Sequence, residues 1–149
     1  MRVMIPIDGS ECSKAAVEYV VERPWKDSDT FLLVHVVEPI PVDIGIAYVP
    51  GAYTPDDPAA FEQSEALLKI VESELRATLV GHTIEHKVTG GPAKAELVDL
   101  TKEWKADMIV MGSHDRHGFN RLLLGSMAED LMKAAHCSIT IVKNFTGTK

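Results

Sequence analysis

The chain has 149 residues, a formal net charge of -7, 46% hydrophobic and 25% charged residues, which suits a single domain spanning residues 1–149 with a core that needs no metal or disulfide staples. An acidic balance works against phosphodiester backbones and anionic lipid, so neither nucleic acid nor membrane is an expected partner, and no apolar run reaches bilayer-crossing length. The opening Met1-Arg2-Val3-Met4-Ile5-Pro6 lacks a secretory apolar stretch, which predicts a cytoplasmic location; Cys12 and Cys137 show no CxxC spacing and are expected to be reduced and structural.

Arg2 to Asp8 reads as a short strand, and Gly9-Ser10 as a turn into a helix capped by Ser10 with Glu11 in its first turn. Ala15, Ala16, Tyr19 and Val20 recur at helical spacing until Pro24 forbids continuation. Thr30 to Val37 (TFLLVHVV) is almost unbroken apolar sequence, the pattern of a strand covered on both faces of a parallel sheet. From Glu38 to Asp57, four prolines and two glycines predict a long, mobile loop.

Asp57-Pro58 supplies an N-cap followed by proline at the first helical position, and Phe61, Leu68, Val71, Leu75 and Leu79 trace one helical face. Thr83 to Thr89 alternates, with Ile84, His86 and Val88 against Thr83, Glu85 and Lys87, as an edge strand does. Gly91-Pro92 begins a helix lined by Ala93, Leu97, Leu100 and Trp104. Asp107 to Gly112 is the next strand, Ser126 to Ala135 the last helix and Ser138 to Lys143 the final strand. Strand and helix alternate throughout, which predicts an α/β fold: a parallel sheet with helices on both faces and right-handed crossovers. Ligands in such sheets sit beyond the carboxyl ends of the strands, where strand order reverses. Asp8-Gly9-Ser10, Val37-Glu38 and Gly112-Ser113 all fall at those ends.

The stretch MGSHDRHGFNRLLLGS, residues 111–126, carries Gly-Ser twice with Arg116 and Arg121 between. Ser126-Met127-Ala128-Glu129 reads as a capping box, so a helix N-terminus is expected there. Its outward amides, the permissive glycines and the arginines together suit a phosphate. The plainer alternative is that any strand-loop-helix connection uses a glycine and a cap.

Four stretches, IPIDGSECSKAA, LLVHVVEP, ADMIVMGSH and RLLLGSMAEDLMKAAHCSITIVK, make the chain resemble the universal stress protein family from Val3 to Lys143. The resemblance implies a five-stranded, doubly wound parallel sheet of the Rossmann-like, adenine nucleotide alpha hydrolase-like kind. It also implies a homodimer formed through the last strand, Ile139 to Lys143, and a division between members that bind nucleotide and members that do not.

The binding members' signature is G-x-x-G, nine residues, then G-[ST]. Gly112, Gly125 and Ser126 match it, but Asp115 stands at the second glycine. Aspartate tolerates left-handed backbone, yet two like charges about 4 Å apart repel by about 4 kcal/mol at an effective dielectric of about 20. Arg116, Arg121 or a divalent metal such as Mg or Mn would have to offset that. The rest of the implied pocket places Asp8 at the ribose hydroxyls, Pro6 beside adenine and the Val36 backbone on the base edge, with Met111, Gly112, Ser126 and Met127 completing it. Without the resemblance, Asp8 reads equally as a turn residue pairing with Gly9 or Ser10, and Pro6 is an odd strand residue because it donates no ladder bond.

The expectation is therefore a stress-response regulator that binds an adenine nucleotide, ATP with a divalent metal, and at most hydrolyses it slowly, since no general base or arginine finger stands out. The alternative is a nucleotide-free dimeric interaction module in which Asp115 disables the phosphate site. No Ser-His-Asp or paired-carboxylate arrangement suggests a catalytic residue. His114, Asp115 and His117 are spaced too loosely to predict a protein-only metal site. His35 reads as a strand histidine with a hydrogen-bond partner, Cys12 as a small helix-face residue, and Met4, Met108 and Met111 as core.

Overall fold

The structure, a computed structural model, describes residues 1–39, 57–113 and 125–143. Five strands, β1 (Arg2–Pro6), β2 (Thr30–Val37), β3 (Thr83–Gly90), β4 (Met108–Gly112) and β5 (Ser138–Val142), alternate with helices α1 (Glu11–Val21), α2 (Pro58–Thr78), α3 (Ala93–Glu103) and α4 (Ser126–Ala134). All four strand pairings are parallel, and the order across the sheet is β3-β2-β1-β4-β5. Strand order thus reverses between β1 and β4.

Side chains that alternate along each strand divide the core in two. Val3, Ile5, Phe31, Leu33, Ile84 and Val110 face α1 and α2, meeting Ala16, Val20, Leu68 and Leu75. Met4, Leu32, Val34, Ile109 and Met111 face α3 and α4, meeting Leu97, Leu100, Ala128 and Leu131. This two-sided burial explains why β2 reads as a continuous apolar run, whereas β3, an edge strand as its alternation predicts, exposes Thr83, Glu85 and Lys87.

Several helix boundaries follow local chemistry. Ser10 caps α1, its hydroxyl accepting the Ser13 N–H at 3.2 Å, and Asp57 caps α2, accepting the Ala59 N–H at 3.0 Å with Pro58 next in line. The start of α4 departs from expectation. Its cap is Gly125, no side chain bonds across it, and Ser126 is already helical. The capping box at Ser126 and Glu129 is therefore not formed as a Ser126 cap; the Glu129 N–H donates to the Gly125 carbonyl at 3.2 Å. Within the Glu38 to Asp57 connection, residues 40–56 lie outside the described residues.

Candidate functional site at the reversal of strand order

β1 and β2 are in register over five residue pairs, Arg2↔Thr30 to Pro6↔Val34. On its other side β1 is in register with β4 over only two, Val3↔Met108 and Met4↔Ile109. The phase of the ladders supplies the reason. The Ile7 N–H donates to the Val34 carbonyl of β2 at 2.8 Å, while the Arg2 carbonyl accepts the Asp107 N–H from the β4 side at 2.9 Å. Odd residues of β1 therefore turn their backbone groups to β2 and even residues to β4. Pro6 is even, so its missing N–H is the one that would have bonded to β4. The proline that is odd on propensity sits where the registered β1–β4 pairing has ended, at the reversal of strand order where parallel α/β sheets form their ligand crevice.

Three turns follow the carboxyl ends of β1, β2 and β4. After β1, Gly9 takes φ +78°, a conformation that favours glycine. Asp8 accepts hydrogen bonds from the Ser10 N–H at 3.0 Å and the Ser10 hydroxyl at 2.6 Å; the turn reading of Asp8 is thus realised in the structure. Beyond β4, the Ser113 N–H donates to the Val142 carbonyl at 2.8 Å, prolonging the β4–β5 ladder by one residue. After β2, Glu38 accepts the Ala93 N–H at 3.3 Å and so serves the N-terminus of α3, where Pro92 has no capping side chain.

Gly112 has a role that its motif position does not announce. A Cβ built there would lie 2.0 Å from the Cys12 carbonyl oxygen and 2.3 Å from its carbon. The end of β4 presses directly on the first turn of α1, and only a residue without a side chain fits. This contact brings Gly112 and the Asp8–Ser10 turn to the same end of the sheet. His35 is a second contributor: its Nδ1 lies 2.7 Å from the Ile7 carbonyl oxygen, so that nitrogen carries the proton and donates. The ring steadies Ile7, the residue between the end of β1 and Asp8.

The other expected pocket residues separate into two groups. Pro6, Val36, Gly125 and Met127 are half-buried, and Ser126 is exposed. Met111 is only 6% exposed and its side chain packs in the core with Ala128 and Leu131, so it could reach a ligand through backbone alone. Asp115, Arg116 and Arg121, with His114 and His117, lie outside the described residues. Among the described residues no group of three His, Cys, Asp or Glu side chains could hold a metal, and no helix is long and apolar enough to cross a membrane. A groove of about 400 Å³ between β3 and α3 is lined by Arg2, Leu32, Glu85, Leu100 and Trp104 among others. Arg2 opens β1, so this groove lies toward the amino ends of the strands, away from the crevice.

Strand order and the alternation of strand and helix define a doubly wound parallel α/β protein, with strand order reversing at the seam between β1 and β4. Residues 1–143 match the model of the Universal stress protein family, and the chain belongs to that family. Universal stress protein MJ0531 of Methanocaldococcus jannaschii is 30% identical over 142 residues, which is 95% of this chain and 81% of the relative. Among solved structures, protein MJ0577 of the same organism superposes with a TM-score of 0.77 at 22% identity, covering 98% of this chain and 97% of that one. A universal stress protein family protein of Arabidopsis thaliana, solved with AMP bound, superposes with a TM-score of 0.70 at 20% identity, covering 98% and 93% respectively.

Proposed function

We propose that this chain is a stress-response regulator that binds an adenine nucleotide, ATP with a divalent metal, in the crevice between β1 and β4. The observation that carries this reading is the divided sheet: Pro6 withholds the N–H that would close the β1–β4 ladder, at the position where parallel α/β sheets take their ligands. A structural neighbour with AMP bound supports the class of ligand. In this reading Pro6 and the Val36 backbone meet the base and Asp8 meets the ribose, while Gly112, Gly125, Ser126 and Met127 offer backbone amides to the phosphates. Gly125 caps α4 without a side-chain bond, which suits an anion at that terminus. Arg116 and the metal would offset the Asp115 carboxylate. Hydrolysis is slow or absent, and the protein works as a cytoplasmic homodimer paired through β5, the edge strand beside β4.

A second reading has its own observation. The Asp8 carboxylate is engaged by Ser10, as it would be in a nucleotide-free interaction module in which Asp115 has disabled the phosphate site. Thermal melting with ATP and Mg or Mn separates the two. Ligand at about 100 times its dissociation constant adds about 2.7 kcal/mol of stability. The first reading expects a shift in the wild type; no shift there, with a clear one in Asp115→Gly, would establish the second.

A further inference from the structure

Strand β3 is an edge of the sheet, and its sequence Thr83-Ile84-Glu85-His86-Lys87-Val88-Thr89 is nearly a mirror of itself about His86. Threonine mirrors threonine, isoleucine mirrors valine, and glutamate mirrors lysine. We propose that β3 is a self-association surface that takes a second copy of this chain, its β3 antiparallel to the first, with His86 on the two-fold axis. A two-fold axis makes residue i meet j and j meet i in any self-paired strand; the near-mirror sequence decides what meets, with threonine opposite threonine, isoleucine opposite valine and glutamate opposite lysine.

The backbone is phased for the same arrangement. The Gly91 N–H donates to the Val37 carbonyl at 3.1 Å, so Thr83, Glu85, Lys87 and Thr89 turn their backbone groups toward β2. Ile84, His86 and Val88 turn theirs outward. The Ile84 carbonyl displays that outward sense, accepting Arg76 Nη2 from α2 at 2.6 Å, and a carbonyl has a second lone pair for a partner strand. About a two-fold axis at His86, the pairs Ile84–Val88, His86–His86 and Val88–Ile84 become the hydrogen-bonded pairs of an antiparallel ladder. Glu85 and Lys87 then fall on non-hydrogen-bonded positions, where opposed Cα atoms are only about 4.5 Å apart and side chains are nearest.

Charge decides between this and a protective role. Edge strands are commonly blunted by charged side chains, and that device repels a copy when like charges meet. Here each copy would bring Glu85 to the other's Lys87, twice over. Both side chains are exposed and their contacts in the chain are long: the Trp104 indole N–H reaches Glu85 at 3.3 Å and Lys87 reaches Glu103 at 3.5 Å. At the axis neither imidazole is a bare charge, because His86 already sits between Glu72 and Glu65 of its own chain.

Charge-swap variants of the full chain test the pairing, with self-association followed by sedimentation velocity and by native mass spectrometry of isotope-labelled mixtures. Glu85→Lys and Lys87→Glu each place like charges opposite one another and should raise the dissociation constant at least about tenfold. The double swap, and a one-to-one mixture of the two single variants, restore opposite charges and should recover the lost association, in the mixture through contacts between unlike variants. The β5 pairing proposed above lies at the opposite edge of the sheet and is independent of these residues, so the readout is the association step that the swaps alter. A wild type with no such step, whether monomeric or never larger than a dimer that ignores every swap, overturns the proposal and leaves pairing through β5 untouched. Single variants that weaken association with no recovery in the mixture also overturn it.

Discussion

Gly112 at the end of β4 and Cys12 in the first turn of α1 are in backbone contact so close that even a methyl group at 112 would lie 2.0 Å from the Cys12 carbonyl oxygen. A motif glycine is readily credited to its ligand. At this position packing requires it first, and any space for a phosphate is a consequence of how tightly helix and strand approach.

Gly112→Ala should therefore destabilise the protein with no nucleotide present. The methyl group meets backbone rather than a yielding side chain, so the loss should be at least about 1–3 kcal/mol. Urea denaturation of the apo protein measures it, and a neutral result would mean that α1 moves off the sheet more easily than the contact implies.

Ser10 both caps α1 and holds Asp8. Ser10→Ala should cost about 1 kcal/mol and Ser10→Gly only a few tenths, the order characteristic of an N-cap. Equal losses in the two variants would show that the hydroxyl bond to Asp8, rather than the cap, is the larger contribution.

Glu72 joins α2 to β3 through Arg76 and His86. Burial pushes its carboxyl pKa up, but the hydrogen bonds and charges of Arg76 and His86 outweigh that, leaving it below the ordinary 4.5. A carboxylate whose folded pKa is depressed contributes stability that is present above the unfolded pKa and lost as pH falls through the folded one. Glu72→Gln should thus cost about 1–3 kcal/mol at pH 6, and the gap to wild type should close as denaturation is repeated toward pH 3. A gap that is constant with pH would leave Glu72 a purely packing role.

Burial, reinforced by the negative charge of Asp107, pushes the Cys137 thiol above its ordinary value. Since the thiolate is the reactive form, iodoacetamide should alkylate Cys137 more slowly than a free cysteine at pH 8, with a rate that climbs only at higher pH. A rate midpoint at or below that of the free thiol would contradict the buried environment.

Elements governed by neighbours in sequence were legible before any coordinates. The apolar run of β2 gave both ends of the strand, and the caps at Ser10 and Asp57 depend on atoms two or three residues away. β1 was expected to run to Asp8 but ends at Pro6, where its pairing to β4 has already lapsed. The serine of α4 was expected to cap the helix, yet Ser126 is already helical and the cap is Gly125, whose lack of a side chain leaves no such cue. The meaning of Pro6 and Gly112 was hidden for a different reason. Each is explained by a partner about a hundred residues away, β4 for the proline and Cys12 for the glycine, and single-chain periodicity carries no such information. Asp8 and Met111 were each open to two readings, a pocket role through resemblance and a turn or core role through local sequence, and the structure realises the turn for Asp8 and the core for Met111.

The unequal seams of β1 give the sheet an anisotropic stiffness. Toward β2 the backbone is stitched along the whole strand, whereas toward β4 the stitching stops after Met4. Spreading the carboxyl end of that second seam ruptures no registered ladder bond, so the molecule is compliant along one line and rigid on the side facing β2. A body wedged into the line would meet no registered strand pair beyond Met4, and its removal would leave no strand having to find its register again.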